Sequence, residues 1–143
     1  MEIRALYDLA EQQNIEVLQF PLKDSNSVSL MAEDGSCYIG IDNAVQDGST
    51  QERVLLGHEL GHCLTGSFYS RHTAVDCRQW HENRADKWAV KKLVPFQDLI
   101  AAITNGYTEI WELAEHFGVT ETFIKKAICY YAHGNLATDV YFE

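Results

Sequence analysis

Residues 58 to 62 read His-Glu-Leu-Gly-His, and no other feature constrains this chain as strongly. On an α-helix, positions i and i+4 stack on one face. His58 and His62 therefore present two imidazoles to a single point. Glu59 is turned by about 100° from His58 around the helix axis. That direction suits a third metal ligand poorly, but it allows Glu59 to reach a water beside the ion. Two imidazole nitrogens and a poised carboxylate make the HExxH arrangement of zinc-assisted hydrolysis. A solvated surface helix would leave both histidines to water, and the flanking residues argue against it. Val54, Leu55, Leu56, Leu60 and Leu64 make the helix at least half buried, and buried imidazoles need partners. Gly57 and Gly61 each cost about 1 kcal/mol relative to Ala in a helix interior. Spaced i, i+4, they form a smooth stripe where a second backbone can approach closely.

A catalytic zinc takes three protein ligands and keeps one position open. The best third ligand is Glu82, twenty residues beyond His62, with room between them for a loop and an antiparallel return. Ala85 and Ala89 follow Glu82 at i+3 and i+7, a small-residue stripe suited to packing against Gly57 and Gly61. Asp86 shares that face and is the natural acceptor for a ring N–H of a ligating histidine. Plainer roles compete: Glu82 as a first-turn complement to the helix dipole, Asp86 as a solvated residue. His81 is a rival ligand, but its direction lies about 100° from the Glu82 stripe.

Around these motifs the periodicity predicts one α+β domain over residues 1–143. A first helix spans residues 2–13. Strands follow at 15–20, 27–32 and 37–41, with Asp34-Gly35 as a hairpin turn between the last two. Ser49 or Thr50 caps the HExxH helix and Gly66 stops it. Residues 67–79 lack periodicity. Further helices are expected over 80–93, 96–104, 108–117 and 120–132. The predicted architecture is a small three-stranded sheet packed with five to six helices. At 143 residues the chain suffices for one core and is too short for two comfortable domains.

Charge and cysteines narrow the function classes. A net charge of -10 opposes binding to nucleic acid or to an anionic membrane. No apolar run approaches the length of a membrane span, and the N-terminus runs into an amphipathic helix pattern without a signal peptide. Cys37, Cys63, Cys77 and Cys129 form no CxxC pair. The expectation is four reduced thiols and a cytoplasmic location, with Cys63 pointing off the ligand face as a small core residue.

The HELGH motif, then E-x-x-A-D-x-W-A as Glu82, Ala85, Asp86, Trp88 and Ala89, then Leu93-Val94-Pro95, resembles the ImmA/IrrE family of bacterial zinc metallopeptidases. The usual second motif has Phe where Trp88 stands. Leu113 to Thr120 also looks like that family's C-terminal segment. The resemblance covers about residues 50–130. It implies a gluzincin-like domain holding one zinc ion on His58, His62 and Glu82, with Glu59 as general base. It also implies an intracellular protein substrate, a helix-turn-helix repressor of a mobile element, phage or stress gene. The competing expectation is a zinc-containing regulatory module that grips a repressor without cutting it; a third is a metal-stabilised fold without catalysis, against which Glu59 argues.

Tyr69, His72 and Tyr107 are candidate donors to a transition-state oxyanion. The stretch from Leu113 to Ile128 has a helix-turn-helix pattern. Its few basic residues, Lys125 and Lys126 among Glu109, Glu112, Glu115 and Glu121, favour simple helix packing over contact with DNA.

Overall fold

A computed structural model describes residues 2–70 and 72–142. The helices are α1 (Ile3–Gln12), α2 (Thr50–Thr65), α3 (Val75–Leu93), α4 (Phe96–Thr104), α5 (Ile110–Phe117), α6 (Glu121–His133) and α7 (Thr138–Tyr141). The strands are β1 (Glu16–Gln19), β2 (Ser27–Met31) and β3 (Cys37–Ile41). The result is α+β, with a mixed three-stranded sheet ordered β1-β3-β2. β1 runs parallel to β3 and β2 antiparallel to it. Among the described residues the helices number seven. The addition to the expected five to six is α7, a single turn with no buried residue and hence no periodic signal.

The register decides which side chains face the helices. Ile39 and Ile41 are fully buried, opposite Ser29 and Ser27 respectively. Leu30 pairs with Tyr38 on the opposite, exposed face. The serines of β2 therefore point toward the core side, where α2 packs.

α2 starts at Ser49, whose hydroxyl accepts the Glu52 backbone N–H at 3.1 Å, and ends at Gly66 in the left-handed conformation (φ 67°). This agrees with the capping pattern in the sequence. α3 begins at Val75, five residues before the expected Trp80. Its first turns are exposed (Val75 is 73% exposed), so no apolar stripe marks them.

α2 and α3 meet along their small residues. A β-carbon added at Gly61 would run into the backbone carbonyl of Ala85. One added at Gly57 would meet the Leu93 side-chain tip at 2.8 Å. Gly61→Ala gains about 1 kcal/mol of helix propensity but forces two backbones apart, a cost of about 1–3 kcal/mol or more. The net expectation is a loss of stability larger than that of Gly57→Ala, where a flexible side chain can yield. Urea denaturation of both variants checks this ordering, and equal stability would contradict the packing argument.

The expectation of four reduced thiols is corrected for two of them. Cys37, at the start of β3, is disulfide-bonded to Cys63 in α2, with Cα atoms 6.2 Å apart. The pair is separated by 26 residues and joined only by packing of the sheet on α2, so spacing carries no hint of it. Cys77 is free and exposed; Cys129 is free and buried. The cytoplasmic location argued from reduced thiols loses that support. Among the described residues, no helix is long and apolar enough to cross a membrane.

Candidate metal centre

The α2–α3 contact brings the HExxH face against the first half of α3. His58 Nε2 lies 3.2 Å from His62 Nε2 and 2.8 Å from Glu82 Oε2. His62 Nε2 lies 3.1 Å from Glu82 Oε1. One ligand atom from each of the three residues falls within 4.8 Å of the others, a grouping that could hold a metal ion. The small residues explain the approach: with Gly61 against the Ala85 carbonyl, Glu82, one turn earlier on α3, reaches across.

Both imidazoles have their outer nitrogen committed. His58 Nδ1 sits 2.7 Å from Asp86 Oδ1. His62 Nδ1 sits against the Ser67 carbonyl oxygen. Carboxylate and carbonyl oxygens only accept, so each ring donates from Nδ1 and aims an Nε2 lone pair inward. Glu82 adds two more acceptors. Such a convergence of lone pairs is repulsive unless a proton or a cation lies among them, and an N, N, O donor set suits zinc. The residues present therefore fit the ion.

The charge behaviour of these side chains reflects the same convergence. Burial alone would lower the affinity of His58 for a proton. The hydrogen bonds to Asp86 and Glu82 outweigh it and raise its pKa to about 10. Burial likewise opposes ionisation of Glu82, but hydrogen bonds from His58, His62 and Tyr69 hold its carboxyl well below the usual range. Asp86 is also held low: burial is overcome by His58 and by Lys126. Any metal must displace the proton that this cluster holds, so metal binding weakens as pH falls.

The supports come from distant parts of the chain. Lys126 Nζ of α6 lies 3.1 Å from Asp86 Oδ2, completing a relay from α6 through Asp86 to His58. Ser67 is fully buried; its backbone N–H donates to the His62 carbonyl, and its hydroxyl is hydrogen-bonded at 2.8 Å to Thr65 Oγ1, whose own proton goes to the Gly61 carbonyl. These bonds fix the carbonyl that receives His62 Nδ1–H. Ser27 Oγ donates to Glu59 Oε2 at 2.6 Å. Sequence reasoning missed Lys126, Ser67 and Ser27, each of which reaches the site through tertiary packing or a backbone atom.

Of the candidate donors, Tyr69 is brought to the cluster: its hydroxyl donates to Glu82 Oε1 at 2.7 Å, and its pKa is pushed up to about 12 by burial and that carboxylate. His72 is not. A turn closed by the Thr73 N–H on the Ser70 carbonyl leaves His72 exposed and outside the cavity. Tyr107 lines a separate cavity with Trp111 and His116. His81, the rival ligand, packs against the rings of Tyr69 and Trp80 and is no part of the cluster.

The cluster floors an open cavity of about 500 Å³ bordered by β2, Leu55 and Phe68. Glu59, 5% exposed, lies in its lining beside His58. A family model, Peptidase_M78, described as the IrrE N-terminal-like domain, matches residues 10–128. No curated protein matches the chain.

Proposed function

The chain belongs to the Peptidase_M78 family, the IrrE N-terminal-like domain, and on that premise we propose that its 143 residues form one zinc-dependent metallopeptidase domain. His58, His62 and Glu82 hold a single zinc ion, Asp86 orients His58, and Glu59 is the general base. The observation that carries this reading is the convergence of three ligand atoms within 4.8 Å, with both histidine Nδ1 atoms already engaged.

Zinc in that position supplies a Lewis acid for the scissile carbonyl and makes water more acidic. Glu59 takes a proton from the attacking water and hands it to the leaving amine. Tyr69, already within the cluster, is the candidate donor to the developing oxyanion. β2 is an edge strand that borders the cavity, so its free backbone groups suit an extended peptide.

The substrate we propose is a helix-turn-helix repressor of a mobile element or phage, met inside a bacterial cell. This rests on the family resemblance. An intracellular place adds one requirement, that the fold tolerate opening of the Cys37–Cys63 bond by cytosolic thiols. The test is to mix the purified chain with purified helix-turn-helix repressors from the same genome and follow both by gel and mass spectrometry. Zinc-loaded chain is expected to produce discrete repressor fragments, and chelation to abolish them. A stable complex without fragments would replace the peptidase with a binding module.

A further inference from the structure

Glu59 is nearly buried, and a carboxylate rotates freely about its last torsion unless something holds it. The only hydrogen bond to its carboxylate among the described residues comes from Ser27, whose Oγ lies 2.6 Å from Oε2. The two residues are 32 positions apart and belong to different elements, β2 and α2. The register explains the meeting: Ser27 pairs with Ile41 and shares its core-facing side of the sheet. The backbone around it is fixed, because the Asn26 carbonyl accepts the Asp42 N–H at 2.9 Å and the next residues lie in the antiparallel ladder. A hydroxyl on a paired strand is thus a stiff anchor for a group on a helix.

We propose that Ser27 is a positioning residue for the hydrolytic reaction. It ties down Oε2 of Glu59, which leaves Oε1 as the oxygen that takes the proton from water and passes it on. This rests on the reading of Glu59 as general base. Ser27 touches neither the ligand cluster nor the reacting atoms, so its loss affects the turnover step and leaves metal binding alone.

The experiment uses the full zinc-loaded chain and a mixture of internally quenched random peptides, with kinetics on the best-cleaved member. Ser27→Ala is expected to lower kcat by about 10–100-fold, the cost of a misplaced catalytic group. KM is expected to stay within about twofold, the signature of an interaction needed only in the transition state. Zinc content and thermal unfolding remain those of the wild type. Ser27→Thr, which keeps the hydroxyl, restores most of kcat. A wild-type kcat in Ser27→Ala beside an inactive Glu59→Gln overturns the role of Ser27 and spares the general base. Equal losses in Ser27→Ala and Ser27→Thr, with zinc intact, overturn it too, because the hydroxyl is then irrelevant. Full activity in Glu59→Gln overturns the general base and the positioning role together.

Discussion

Glu59→Gln is expected to lower peptide cleavage by about 10²–10⁴-fold, the range that a positioned general base supplies, with zinc still bound in full. Glutamine has nearly the same shape and can still accept the Ser27 hydroxyl through its amide oxygen. What it cannot do is take a proton from water at neutral pH. Glu59 is 5% exposed, so the substitution replaces a nearly buried charge by a neutral group and gives no reason for unfolding. Cleavage of a quenched peptide and zinc by mass spectrometry separate the two functions. Loss of zinc in parallel with activity would mean that Glu59 holds the ion rather than the proton.

Glu82→Ala is the second large effect. Glu82 is the sole oxygen donor of the cluster and the one member contributed by α3. Losing a residue that merely supports a ligand costs about 10–100-fold in metal affinity, and Asp86→Ala is expected to fall in that range. With Glu82 as the proposed third ligand, Glu82→Ala leaves two imidazoles facing each other at 3.2 Å, so its loss is expected to exceed that of Asp86→Ala and to abolish cleavage. It also takes away the partner of the Tyr69 hydroxyl. Competition with a chromophoric chelator gives both affinities. Wild-type affinity in Glu82→Ala would place the third ligand elsewhere, with His81 the first residue to examine.

Much of this arrangement was legible along the chain because it is written in helical spacing. His58 and His62 at i, i+4, and Glu82, Ala85, Asp86 and Ala89 on one stripe, are local patterns that a helix converts directly into a shared face. Gly57 and Gly61 declared the close approach that the Ala85 carbonyl makes. What stayed hidden depends on which distant elements touch. Lys126 lies 40 residues from Asp86, and α6 must fold back on α3 before the pair exists. Ser27 reads as a solvent-facing polar residue in an alternating strand; only the pairing with Ile41 turns it inward. Cys37 and Cys63 meet because the sheet lies on α2, and nothing in their spacing says so. The first turns of α3 are exposed and show no periodicity, which hid five residues of helix.

The proposed chemistry requires one zinc ion on two imidazoles and a carboxylate. X-ray absorption at the zinc edge, on chain purified without added metal, tests it most directly. The expected result is one zinc per chain with a shell of nitrogen and oxygen only, at about 2.0–2.2 Å, and multiple scattering from two histidines. A sulfur shell near ~2.3 Å, or a chain that takes up no zinc at all, would contradict it.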